Sequence, residues 1–87
     1  MGRAEAGDDR NIYVMRKTSP AIVYAISPGG EVLRRFTVDP GDTSYSPFVM
    51  QVAGGRIAIL FLEPQTQKEI INVPDLEGHE LATYAGQ

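Results

Sequence analysis

A chain of 87 residues has room for one small domain. At that size it buries only roughly 60% of its unfolded surface, so a dense core, a staple or a partner has to make up the difference. There is no cysteine, which removes disulfides and thiolate metal sites as staples. A net charge of −3, a pI of about 4.9 and scattered Lys and Arg exclude the clustered cationic surface that nucleic acid or an anionic membrane needs, and 43% apolar residues exclude a disordered chain.

Residues 1–10 read as a polar, disordered lead-in without the apolar stretch of a signal peptide. Asn11 to Arg16 is predicted to be a strand with consecutive apolar residues, and Lys17-Thr18-Ser19-Pro20 a turn. Ala21 to Ile26 is a second apolar strand, rich in β-branched and aromatic residues. Ser27-Pro28-Gly29-Gly30 is a hairpin turn, where Pro presets φ and Gly supplies a positive one. Glu31 to Val38 alternates, with Val32, Arg34, Phe36 and Val38 on one side. Asp39-Pro40-Gly41-Asp42 breaks the chain, and Ser44, Tyr45 and Ser46 read as linker. Phe48 to Ala53, Arg56 to Glu63, Lys68 to Val73 and His79 to Ala85 follow as strands, separated by Gly54-Gly55, Pro64 to Gln67 and Pro74 to Gly78. The longest apolar run, Ile57 to Leu62, is far below the roughly 18 residues of a membrane helix. About seven short strands divided by Gly and Pro turns specify an all-β antiparallel meander.

Two units are visible, residues 11–46 and 47–87. Ile12-Tyr13-Val14-Met15 aligns with Ile57-Ala58-Ile59-Leu60 at an offset of 45. Val23-Tyr24-Ala25 aligns with Ile71-Asn72-Val73, Gly30 with Gly78, Leu33 with Leu81 and Phe36 with Tyr84, all at an offset of 48. The difference falls in a hairpin loop. Periods of about 40 to 50 residues with several strands each mark propeller blades. Strand polarity agrees, because strands that are apolar at successive positions need cover on both faces. On this reading Tyr13, Val23, Ile26, Ile57, Ile59, Leu60 and Leu62 are buried. The last strand of each unit is outermost, leaving Arg34, Arg35 and Glu80 exposed. The rival architecture is a small β-sandwich.

Asn11-Ile12-Tyr13-Val14 with Val23 to Gly30, and the stretch Pro47 through Leu81, resemble blades of bacterial repeat propellers of the NHL type and related six- or seven-bladed families. Their units read Gly-x-Ile-Tyr-Val, a gap, then Val-x-Val-Phe-x-x-x-Gly. The second unit departs at Asn72 and Pro74. The resemblance implies about two blades, the first short of one strand on its N-terminal side, belonging to a larger propeller. It also implies the extracytoplasmic setting common among bacterial relatives, while the residues themselves leave the compartment open.

Candidate chemistry is sparse. His79 is the one histidine, with Asp75, Glu77 and Glu80 nearby; a divalent-metal or acid–base site is weighed against a solvated hairpin tip, and the tip is favoured. Asp39 and Asp42 flank Pro40-Gly41 as turn formers rather than a carboxylate pair. No Gly-x-Ser-x-Gly elbow is present, and Gly29-Gly30 and Gly54-Gly55 open strands, not the helices whose N-termini grip phosphate. Arg34-Arg35 reads as an edge-guarding pair. The expectation is therefore no catalytic, cofactor or metal residue, and a scaffold or binding module that self-associates or joins further blades, with three copies closing a six-bladed ring as one arrangement. The rival function is part of a lactonase- or lyase-like propeller enzyme, for which Asn11, Glu63 and Asn72 are the available inner-strand residues.

Overall fold

A strand apolar at every position is stable only when both its faces are covered, and this requirement shapes the architecture. A computed structural model describes residues 4–7 and 9–85, in which eight strands form and no helix. No helix, accordingly, is long and apolar enough to cross a membrane. Strands β1 (Ala4–Ala6), β2 (Ile12–Arg16), β3 (Ala21–Ile26) and β4 (Val32–Val38) make one four-stranded antiparallel sheet, here the first sheet. Strands β5 (Ser46–Ala53), β6 (Arg56–Leu62), β7 (Glu69–Pro74) and β8 (Glu80–Ala85) make the second. In each sheet the spatial order follows the chain order, the simplest meander, and the all-β expectation holds.

Two expectations about strand boundaries are corrected. The lead-in contributes β1, which pairs antiparallel with β2 (Ala4 opposite Val14, Ala6 opposite Ile12), so the first sheet is not a strand short. Three residues, two of them alanine, offer no periodicity from which to read a strand; pairing with β2 is what extends them. The linker also ends earlier than expected. β5 starts at Ser46, Pro47 is buried, and Tyr45 packs against the core.

The sheets stack on one set of faces. Tyr13 and Met15 of β2, Ala21, Val23 and Ala25 of β3, and Val38 of β4 form one buried cluster with Met50 of β5 and Ile57, Ile59 and Phe61 of β6. Fully burying a side chain such as Ile59 or Phe61 contributes roughly 1.5–3 kcal/mol. Polar ties cross the same gap: Arg34 on β4 donates to the Leu76 carbonyl, Asn72 on β7 to the Asp39 carbonyl, and Ser19 to the Tyr45 carbonyl. Strands β1 and β5 are in contact across the two sheets.

Cross-strand register defines rows on each face. Met15–Val23–Phe36 and Tyr13–Ala25–Arg34 lie on the inner face of the first sheet, and Val14–Tyr24–Arg35 and Ile12–Ile26–Val32 on its outer face. The second sheet carries Met50–Ile59–Asn72–Thr83 inside and Val49–Leu60–Ile71–Tyr84 outside. Of the residues expected to be buried, Tyr13, Val23, Ile57 and Ile59 are fully so, while Ile26, Leu60 and Leu62 are half-buried because they lie on outer faces. Arg35 and Glu80 are exposed as expected. Arg34 is not: it turns inward with Phe36 and Val38, half-buried between the sheets, whereas Val32, expected on the same side, faces out because Leu33 is an extra residue in the strand.

Candidate functional site

The charged cluster with most potential for chemistry is the β7–β8 turn, where ligand-capable atoms of Asp75, Glu77 and His79 lie within 4.8 Å of one another. Its hydrogen bonds show what holds it. Asp75 Oδ1 accepts the backbone N–H groups of Glu77 and His79, both at 2.9 Å, and its other oxygen lies 3.2 Å from His79 Nδ1. The backbone N–H of His79 is the largest influence on the Asp75 carboxyl; burial, next in size, works the other way, and with the Glu77 N–H and the His79 ring added the net effect holds it below the usual aspartate value. The β3–β4 turn is built alike with uncharged chemistry. There Ser27 Oγ accepts the Glu31 N–H at 3.1 Å, and the Ser27 N–H to Glu31 carbonyl bond matches that from Asp75 to His79, both 2.8 Å. Asp75 does the work of a turn-forming serine. His79 and Glu77 point into water, their side chains 75% and 70% exposed.

Other acids follow the same rule. Asp42 is held low by the Ser44 N–H, and Glu63 by the Thr66 N–H. Asp39 accepts the Gly41 N–H at 2.8 Å, which makes it a turn former as expected. Asn11, Glu63 and Asn72 do not converge. Asn11 bonds Asp9, Glu63 caps the β6–β7 turn, and Asn72 lies between the sheets, donating to Glu80 Oε2 at 3.3 Å. Thr83 donates to that same carboxylate oxygen at 2.6 Å, while buried Asn72 Oδ1 has no partner.

The sequence reading missed one polar chain. Tyr13 Oη donates to Asp9 Oδ2 at 2.6 Å and accepts from Arg34 Nη2 at 3.1 Å, and Arg34 continues to the Leu76 carbonyl through Nε at 3.0 Å and Nη2 at 2.9 Å. Burial, then the hydrogen bond to Asp9, pushes the Tyr13 phenol up to about 12. Through these bonds Tyr13 and Arg34 tie the first sheet to the β7–β8 turn. The available signal was the alternation within Glu31 to Val38, which sets Arg34 on one side with Phe36 and Val38.

What remains is surface. Both outer faces are apolar across several strands: Ile12, Val14, Ile22, Tyr24 and Ile26 on the first sheet, and Val49, Leu60, Ile71, Val73 and Tyr84 on the second. Ile12 is 41% exposed, Val32 56% and Tyr84 60%. Scattered exposed aliphatics are ordinary, but rows of them across three or four paired strands form a contiguous patch, the mark of an interaction surface. An open groove over Ile22, Arg35, Phe36 and Thr37 lies at the outer edge of the first of these faces. No family model, no curated protein and no solved structure matches the chain.

Proposed function

We propose that this protein is a non-catalytic scaffold or binding module, two propeller-like units whose outer sheet faces take further units of a larger propeller assembly. One observation carries the reading: both outer faces carry apolar rows that reach water, with Ile12, Val32 and Tyr84 exposed. The core is already complete without them. The polar groups support the same reading, since the acids cap turns and the buried tyrosine, arginine and asparagine bridge strands or sheets. Light scattering of the purified chain from 1 to 100 µM, on the order of ordinary encounter affinities, tests it. A mass rising above that of the 9.5 kDa monomer is expected, with a chain carrying both Ile12→Lys and Tyr84→Lys staying monomeric. A wild-type chain that remains monomeric and indistinguishable from this variant overturns the proposal.

A further inference from the structure

The two sheets meet through unlike faces. Moving the inner row Met15–Val23–Phe36 along the chain by the offsets of 45 for β2 (Ile12 to Ile57) and 48 for β3 and β4 (Gly30 to Gly78) gives Leu60–Ile71–Tyr84. Those three residues are themselves a paired row, but on the outer face of the second sheet. The reverse also holds. The outer row Val14–Tyr24–Arg35 maps onto Ile59–Asn72–Thr83, a paired row on the inner face of the second sheet. Even the irregularity is matched: register shifts between Ala25 and Ile26 in the first sheet, and between Val73 and Pro74, their counterparts, in the second.

The outer face of the second sheet is thus the counterpart of a face that already packs on its neighbour, and the outer face of the first sheet is the counterpart of that neighbour. Building on the interaction-module reading, we infer that a second copy of this chain docks head to tail, its first-sheet outer face on the second-sheet outer face of the first copy. The contact repeats the one inside the chain with a new pair of surfaces. Ile12, Val14, Ile22 and Tyr24 stand where Ile57, Ile59, Ile70 and Asn72 stand inside. Arg16 takes the place of Phe61, and Glu69 the place of Ala21, both members of the inner cluster, so opposite charges come to the same end of the new contact.

A glycine marks the fit. Inside the chain, Phe36 lies so close over Gly78 that a Cβ there would come within 2.5 Å of its ring. The counterparts are Tyr84 and Gly30; a Cβ at Gly30 would meet nothing within 4 Å, and Tyr84 is 60% exposed. In the head-to-tail pair, Tyr84 of one copy covers Gly30 of the next. Such a heterologous contact leaves one free face of each kind at the ends, and so propagates until a ring closes.

Mixing tests this with two variants at exposed positions, Ile12→Lys on one face and Tyr84→Lys on the other, each checked for native strand content by circular dichroism. Each variant alone is expected to be monomeric, because each lacks one of the two faces the contact needs. Mixed one to one, they are expected to form a heterodimer of twice 9.5 kDa and nothing larger, since the intact face of each meets the intact face of the other. If either variant still self-associates alone, like faces pair with like; that overturns the head-to-tail mode but leaves the interaction-module reading standing. If the wild-type chain associates and the mixture does not, the head-to-tail mode also fails. If wild type and mixture alike stay monomeric at 100 µM, on the order of a weak complex, both fail. Should either lysine abolish the fold, Val32→Lys and Leu60→Gln replace them on the same faces.

Discussion

Arg34 and Arg35 are neighbours in sequence with the same charge, and the fold gives them opposite surroundings. The guanidinium of Arg34 supplies two donors to the Leu76 carbonyl and one bond to the Tyr13 hydroxyl, joining β4 to the β7–β8 turn across the sheet gap. Arg35 faces water. Hydrogen bonds to a charged donor are worth roughly 1.5–3 kcal/mol, and the partial exposure of this one brings the expectation for Arg34→Met to about 1–2 kcal/mol. For a domain of this size that is a fall of roughly 4–16 °C in melting temperature. Arg35→Met should change stability by no more than about 0.5 kcal/mol, as ordinary surface substitutions do. Arg34→Lys keeps the charge but loses the two-donor fork, so it should recover little. Thermal melts by circular dichroism at one fixed protein concentration would read all three, because association makes the midpoint concentration-dependent. Equal losses from Arg34→Met and Arg35→Met would refute the inter-sheet role of Arg34.

Three further outcomes are expected. Gly78→Ala and Gly30→Ala share a similar left-handed backbone, φ 97° and 94°, but only Gly78 faces the Phe36 ring; in the dilute chain Gly78→Ala should therefore be the more damaging, by about 1–3 kcal/mol, and equal urea midpoints would contradict that packing. His79→Ala leaves the backbone N–H that Asp75 accepts, so stability should move by at most about 0.5 kcal/mol and added Zn²⁺ should not raise the melting temperature; a zinc-dependent rise lost in the variant would restore a metal site. Asp9, Asp42, Glu63 and Asp75 are held below their ordinary values in the fold, so their contribution is present above about pH 4 and lost as pH falls through the lower folded values. Tyr13 runs the other way: its contribution is intact below about pH 10 and lost as pH rises toward about 12, so Tyr13→Phe should flatten the alkaline limb of a stability–pH profile.

The strands with the densest apolar content were legible from sequence alone. Ala21 to Ile26 begins and ends as predicted, and Arg56 to Glu63 runs one residue past the observed Leu62. What escaped lacked local signal. β1 is a strand because β2 offers it an unpaired edge, not because Ala-Glu-Ala prefers extension. Arg34 looked like an edge guard because charge suggests exposure, and only its place in a row with Tyr13 and Ala25 turns it inward. The His79 cluster was legible as a hairpin tip, because an Asp that opens a Gly-containing turn, as Asp75 does before Gly78, is ordinary turn chemistry. The link from Tyr13 to Leu76 spans residues far apart in the chain, and no spacing rule reaches it.

Sheets with one wet face have a built-in check on strand alignment, since sliding a strand by one residue drives its apolar side chains into water. Here β3 and β6 present aliphatics on both sides, and a slip exchanges one dry surface for another. Their composition therefore says little about which residue should stand opposite which. That information resides in the hairpins: the left-handed glycines Gly30 and Gly78 closing four-residue turns, and the extra residue that Leu33 and Leu81 each insert just beyond them. The strands supply cohesion and the turns supply alignment. Damage to a turn in this protein should yield misaligned sheets that still collapse and still bury oil, a failure that bulk measures of folding would overlook and that cross-strand contacts would expose.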